Sequence, residues 1–264
     1  MTMGHRKDIF RYRIVTNLNC NMNESTGPNG NCYFCYQKFK ANMRLDIDKC
    51  RDTMRKIGVL KRATIMGGEA MLNPQLCDFI RLTREHVTHD VCLVTNGILM
   101  NEQRARQMAE AGLTEVAISV SSLEQYWRRR EAALTCKAII PNTRINIPKC
   151  NESTGDKLVE LLEQVLTDGF YCVVCEDLQG RYGDFDFQEK MNTTKIKDDG
   201  FGFYDYMWNG HQFGVFGNYS KYNDCDIIIT PLGNFCNWEK YCAKVENVEL
   251  SRKESTCDKD KIEG

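Results

Sequence analysis

The sequence predicts an α/β fold: a partial (β/α)6, TIM-like barrel followed by a C-terminal cap rich in aromatics and cysteine. Three observations predict it. Short runs of β-formers alternate with helical apolar stripes. The strand starts at 62, 91, 115, 143 and 171 recur every 24 to 29 residues. The alternation stops near residue 176. Regular strand–helix alternation places helices outside a parallel sheet.

Each element has its own signal. "RYRIVTNL" (11–18) is a strand rich in β-formers. Ile47, Cys50, Met54 and Ile57 recur at helical spacing, and Gly58 stops that helix. "RATIM" (62–66) is a strand running into Gly67-Gly68. A helix follows Pro74, carrying Leu76, Phe79, Ile80 and Leu82. "VCLVT" (91–95) is a strand ended by Asn96-Gly97, and Asn101 caps a helix running to Gly112. "EVAISVS" (115–121) and "TRINIP" (143–148) are further strands. Leu158, Leu161, Leu162, Val165 and Leu166 stripe a helix closed by Gly169, and "YCVVCE" (171–176) is the sixth strand.

Strand parity points to the interior. Val116, Ile118 and Val120 share one face, with Ala117, Ser119 and Ser121 on the other. Ile145 and Ile147 oppose Arg144 and Asn146 in the same way. The apolar faces should meet the helices and the polar faces should line a hollow for a polar ligand, since a filled barrel core is apolar on both faces.

Composition narrows the function. Net charge is −1 over 264 residues, which disfavours a nucleic-acid partner. No apolar run approaches the roughly 20 residues a membrane span needs, and the N-terminus lacks a secretory core. A cytoplasmic location and no membrane partner are expected. Fourteen cysteines in such a chain point to metal or redox chemistry rather than a disulfide framework. Cys50, Cys77, Cys92 and Cys136 are the exceptions, expected as small buried residues.

The loop after the first strand, "TNLNCNMNESTGPNGNCYFC", gathers Cys20, Cys32 and Cys35. Three thiolates are one short of a closed tetrahedral site. The fourth position would be open, or filled by Cys50, a His or an external ligand. Both a structural zinc and a [4Fe-4S] cluster with one free iron fit this donor set.

"TNLNCN" at a strand end, then "CYFC", then "GGE" after the second strand and "TNG" after the third, resembles the radical S-adenosylmethionine (radical SAM) superfamily over residues 11 to about 176. That family has three residues between its first two cysteines. Here there are eleven, with Glu24 at the usual position of the second. A loop lengthened threefold costs only roughly 1 kcal/mol more to close, so the insertion does not forbid a cluster.

The resemblance implies specific roles. Cys20, Cys32 and Cys35 would hold three irons, and S-adenosylmethionine would take the fourth. Phe34 would pack by the adenine. Gly67 and Gly68 would let the backbone approach the methionine part, and Glu69 would accept from its amino group. Thr95, Asn96, Ser119, Ser121, Arg144 and Asn146 complete the cofactor site. Cys150, as a hydrogen-atom donor, and Glu176 are the candidate catalytic residues. A flavodoxin or ferredoxin would supply electrons.

Beyond 176, "CDIIITPLGNFCNWEKYC" (225–242) resembles the strand–turn–Cys unit of twitch or SPASM extensions, although Gly233 stands too close to Cys236 for the usual pattern. Cys225, Cys236, Cys242 and Cys257 are therefore candidate ligands of a second iron-sulfur cluster, with buried free thiols as the alternative. Cys172 and Cys175 lie on one strand at an odd offset, face opposite ways, and read as structural. Domains are expected at 1–176 (core) and 177–264 (extension), the last stretch from about 249 being charged and frayed. Tyr204, Tyr206, Trp208 and His211 are expected in a substrate lid. Only about ten residues precede the first strand, which leaves no room for a leader-binding domain and favours a small polar metabolite undergoing oxidation, epimerisation or rearrangement. Peptide modification is the second reading, and a zinc-bound interaction protein without catalysis is the rival from another class.

Overall fold

The structure, a computed structural model, describes residues 11–22, Cys32, Cys35, Gln37, 40–150, 153–175, 187–199, 203–216, 226–238, 240–245 and 247–248. Strands β1 (Arg11–Val15), β2 (Arg62–Met66), β3 (Val91–Thr95), β4 (Glu115–Ser119), β5 (Asn142–Pro148) and β6 (Tyr171–Cys175) lie side by side in chain order, each parallel to the next. Helices α1 (Ile47–Ile57), α2 (Leu76–Arg84), α3 (Glu102–Glu110), α4 (Leu123–Ile139) and α5 (Asp156–Thr167) connect them. The alternation ends after β6, as expected.

The C-terminal third of the chain lengthens the same sheet at both edges. After the short helix α6 (Phe187–Met191) come β7 (Thr194–Asp198), β8 (Phe203–Trp208), β9 (His211–Phe216), β10 (Asp226–Thr230) and β11 (Gly233–Phe235). β9 pairs parallel with β6, and β10 pairs parallel with β1. Antiparallel β8 and β7 continue beyond β9, and antiparallel β11 beyond β10. The sheet therefore runs from β11 to β7 without closing. No helix among the described residues is long and apolar enough to cross a membrane.

Local chemistry explains the helix boundaries. Asp46 caps α1 by accepting from the backbone N–H of Asp48 and Lys49, and Gly58 ends it at a φ of 96°. Asn101 caps α3 by accepting from Arg104 N, and Ser122 caps α4 by accepting from Gln125 N. The helices bury apolar stripes against the outer face of the sheet. Ile14, Ile65, Leu93, Ile118, Ile145 and Val174 are the sheet's side of that core, with Phe79, Ile80 and Leu162 opposite. Cys50 and Cys136 are fully buried there. The strand parity read from sequence thus holds, with Val116, Ile118, Ile145 and Ile147 facing the helices.

Helices α4 and α5 are clamped by Asp168. Its carboxylate accepts from Arg130 Nε (2.8 Å), Arg130 Nη2 (2.7 Å) and Tyr126 Oη (2.6 Å). The Arg130 guanidinium, aided by Tyr126 and Gln164, holds the Asp168 carboxyl down to about 2. A depressed folded pKa contributes stability above the unfolded carboxylate value, about 4, that is lost as pH falls toward the folded one. Asp168→Asn is therefore expected to lower the urea midpoint at pH 7 and to leave it unchanged near pH 2. Equal losses at both pH values would refute the ionised clamp.

One sequence expectation is corrected here. Tyr204, Tyr206 and Trp208 do not stand over an opening. They project from β8 toward the helix-side core, where Tyr206 stacks on Phe213 and packs by Phe187. Parity explains it: Tyr204 and Tyr206 pair with Val215 and Phe213, which share the outer face. His211 is exposed.

Candidate metal and cofactor site

Cys20 follows the C-terminal end of β1 beside the turns after β2 and β3, and Cys32 and Cys35 lie near enough to interact with it electrostatically. The loop that carries them returns to its own start. Leu18 N donates to Met43 O (2.9 Å), Ala41 N to Leu18 O (3.3 Å), and the Gln37 side chain donates to Leu18 O. Cys35 N donates to Cys32 O (3.0 Å), which makes the tight turn that a Cys-x-x-Cys pair needs. Lys40 Nζ donates to Met22 O (2.5 Å) and reaches all three thiols electrostatically.

Burial pushes the Cys32 thiol up to about 12, with Cys35 and Cys20 adding to the rise. It pushes Cys35 up to about 11 and raises Cys20 as well. The thiols are thus near neighbours in a partly dehydrated pocket, and a metal would have to displace their protons. Among the described residues no group of three or more His, Cys, Asp or Glu is placed to hold a single metal ion. Three thiolates fit a single metal ion with an outside fourth ligand or a [4Fe-4S] cluster with one open iron. Cys50 takes no part, being buried on α1 beside Met54.

The Gly67-Gly68-Glu69 turn presses against this loop. Gly68 N donates to Asn17 O (2.8 Å) and Glu69 N to Asn19 O (2.8 Å). A Cβ on Gly67 would sit 2.9 Å from Asn17 O. One on Gly68 would collide with Asn19 O and lie 2.7 Å from the carbonyl carbon. Both glycines are thus required by the close approach of the turn to the backbone of the cysteine loop.

Glu69 holds the same turn from within. Its carboxylate is buried and accepts from Met71 N (2.9 Å), Thr95 Oγ1 (2.8 Å) and Asn96 N (2.8 Å). Burial pushes it up while those three donors pull it back. It ties the turn after β2 to the turn after β3. Thr95 and Asn96 belong to the same frame.

The remaining predicted residues divide. Ser119 and Asn146 are half-buried neighbours in register on the inner face. Ser121 is taken by α4: its hydroxyl (3.1 Å) and its N–H (3.0 Å) both donate to Gln125 Oε1. Arg144 turns to the opposite end of the strands, paired with Glu115 at the start of β4, with its Nε donating to Asn146 Oδ1 (3.1 Å). Cys150 is buried with its sulfur 3.3 Å from Ser153 Oγ, and it raises the Cys32 thiol electrostatically. Cys172 is buried and Cys175 half-buried on β6. Cys236 accepts from Lys240 Nζ (3.7 Å), and Cys242 is half-buried. Phe34, Glu176, Cys225, Cys257 and the stretch from 249 lie outside the described residues.

Sequence reasoning missed Asn17, Asn19 and Asn21. Asn17, fully buried, donates its side-chain amide to Asn19 O (3.0 Å), Asn19 Oδ1 (2.6 Å) and Glu69 O (2.9 Å). The signal was available as asparagine at every second position around Cys20.

Comparison with known proteins agrees with this geometry. Residues 22–163 match the family model described as the radical SAM superfamily. A probable GTP 3',8-cyclase of Methanocaldococcus jannaschii is 30% identical over 123 residues, 44% of this chain and 38% of that protein. The GTP 3',8-cyclase of Aquifex aeolicus is 23% identical over 78% of this chain and 72% of its own length. The chain thus spans about two fifths of the first relative. Among solved structures, Streptococcus suis SuiB bound to its precursor peptide SuiA superposes with a TM-score of 0.60 at 12% identity, over 85% of this chain and 58% of SuiB. That likeness is one of fold. With a strand-end thiol loop, an open parallel sheet and a family match over more than half its length, the chain belongs to the radical SAM superfamily of enzymes.

Proposed function

We propose that Cys20, Cys32 and Cys35 hold a [4Fe-4S] cluster whose fourth iron takes S-adenosylmethionine, and that the substrate is a small polar metabolite. The observation carrying this reading is that the Gly67–Glu69 turn bonds to Asn17 and Asn19 at the start of the loop that carries the three thiols. When bound, cluster and cofactor supply the electron and the 5'-deoxyadenosyl radical that takes a hydrogen from substrate. An external one-electron donor of the flavodoxin or ferredoxin kind completes the supply.

The chain's own part is placement. Ser119 and Asn146 offer hydrogen-bonding groups on the inner face at the same end of the strands as the thiols, where parallel α/β folds bind ligands. The β1–β10 side of that face is covered instead. Tyr241 and Val245 pack on Val15 and Ile228, and Trp238 stacks over the Arg13 guanidinium at 5.3 Å. The space left lies toward β4 and β5, which suits a compact polar substrate. The relatives named GTP 3',8-cyclase favour the same class. Peptide modification draws on SuiB, whose likeness is of fold alone.

Anaerobic reconstitution with iron and sulfide should give a brown protein that, once reduced, converts S-adenosylmethionine to 5'-deoxyadenosine. Cys20→Ala, Cys32→Ala and Cys35→Ala should each abolish that cleavage; activity retained in any one removes that residue from the ligand set. A colourless protein carrying stoichiometric zinc would sink the whole reading. The iron count also decides the second cluster: about four irons per chain means one cluster and about eight means two.

A further inference from the structure

We propose that the Glu115–Arg144 pair fixes the side-chain amide of Asn146 so that it offers only N–H donors to the inner face, and that the ligand group it takes is an acceptor oxygen of the carbonyl or carboxylate class. The inference deepens the small-ligand reading above and rests on it. It makes Asn146 a binding residue and Arg144 a positioning residue.

A guanidinium donates and cannot accept. The Asn146 atom that meets Arg144 Nε at 3.1 Å is therefore its oxygen, and the amide cannot reverse while Arg144 stays. Arg144 is held in turn. It pairs with Glu115 at the start of β4, and its Nη2 lies 3.8 Å from the Cys92 sulfur near the start of β3. Ala117, its neighbour in register, has only a methyl group to cross. The guanidinium thus lies on the inner face toward the N-terminal ends of the strands.

The rest of that layer is closed in the same way. Tyr171 lies in register with Arg144, and its hydroxyl donates to Asp205 Oδ1 (2.6 Å). Gly214 leaves β9 without a side chain there, since a Cβ would stand 2.5 Å from both the Tyr171 hydroxyl and the Phe203 ring. The layer is a floor whose polar groups bind one another.

The next layer toward the thiols is Ser119, Asn146 and Val173. Val173 is apolar and buried. The Asn146 Nδ2 hydrogens and the Ser119 hydroxyl donate to nothing among the described residues, and both residues are half-buried. With Oδ1 turned onto Arg144, Nδ2 turns away from the floor. The Ser119 hydroxyl adapts by rotation, so Asn146 sets the polarity. Glu115 matches the charge of Arg144, so hydrogen-bond direction rather than charge does the selecting.

The test is crystallographic, on the full-length chain reconstituted and loaded with S-adenosylmethionine. Crystals are soaked with dimethyl sulfoxide, which only accepts, or with methylammonium, which only donates. A ligand oxygen within hydrogen-bonding distance of Asn146 Nδ2 is expected. An oxygen of the cofactor supports the inference and assigns the acceptor to the cofactor; dimethyl sulfoxide on an amide the cofactor leaves free supports it and assigns the acceptor to the substrate. In Asn146→Asp that oxygen should be lost and methylammonium should bind instead. Glu115→Gln combined with Arg144→Met removes both charges together and frees the amide to turn, so methylammonium should reach Asn146 Oδ1 there and not in the parent. Methylammonium on Asn146 in the parent, or no ligand oxygen on Nδ2 from either source, overturns the inference. A chain that takes up no iron overturns the cluster reading instead, while the soaks still report on the amide.

Discussion

Gly68→Ala is expected to cost about 3 kcal/mol and to take the cluster with it. Overpacking a tight site costs about 1–3 kcal/mol, occasionally more. The upper end applies because the new methyl meets backbone, the carbonyl of Asn19, and lies 3.0 Å from Leu18 C. A side chain could swing aside. A backbone held by Glu69 N, Asn17 Nδ2 and the Leu18–Met43 bond can only shift as a whole. Such a shift moves Cys20, the next residue. Gly67→Ala should be milder, because one of its two close neighbours is the Asn17 side chain. Urea denaturation of both variants and their iron content after reconstitution check the ranking. Parent-like stability and iron in Gly68→Ala would mean that the turn does not bear on the loop.

That result would turn on a distance the sequence does not contain, and the same holds for most of what the structure adds. Periodicity placed β1 to β6 and most of their helices because each element must bury one face, and burial writes itself into residue spacing. It also sorted Ile145 from Arg144 correctly. Spacing is silent on which end of a strand a long side chain seeks. Arg144 can reach toward either mouth, and it pairs with Glu115, two residues before its register partner Ala117. The Ser121 hydroxyl donates to Gln125, a helix side chain four residues away that strand parity does not reveal. The motif around Glu69 was legible, while two of its three donors, Thr95 and Asn96, come from the turn after another strand. The asparagines at 17, 19 and 21 were legible as a pattern but not as a frame. Their partners are brought near only by the parallel pairing of β1, β2 and β3.

Asp226→Ala is expected to cost about 3–5 kcal/mol, the range for removing one partner of a buried ion pair. Asp226 accepts from Arg11 Nε (2.7 Å), Arg11 Nη2 (3.0 Å) and Arg13 Nε (2.5 Å). Its side chain is 4% exposed and that of Arg13 is 7% exposed, so little water is available to replace the carboxylate. Burial pushes the Asp226 carboxyl up, but the guanidiniums of Arg13 and Arg11 outweigh it and hold the group below its ordinary value. The stabilisation is present above the unfolded carboxylate value, about 4, and is lost as pH falls through the folded one. Asp226→Asn should show the same loss at pH 7 and converge with the parent in acid. The location of the damage is the sharper test. Asp226 opens β10, the strand that joins the C-terminal segment to β1 and carries Ile228 beneath Tyr241. Hydrogen exchange in Asp226→Ala should therefore accelerate first in β10 and in 240–245, with β3 and β4 still protected. The wall that Trp238 and Tyr241 build would then loosen before the sheet does, and reconstituted protein should keep its iron while the substrate side opens. Uniform loss of protection would instead mean that the eleven strands unfold as one unit and that the C-terminal wall cannot move independently of the thiol loop.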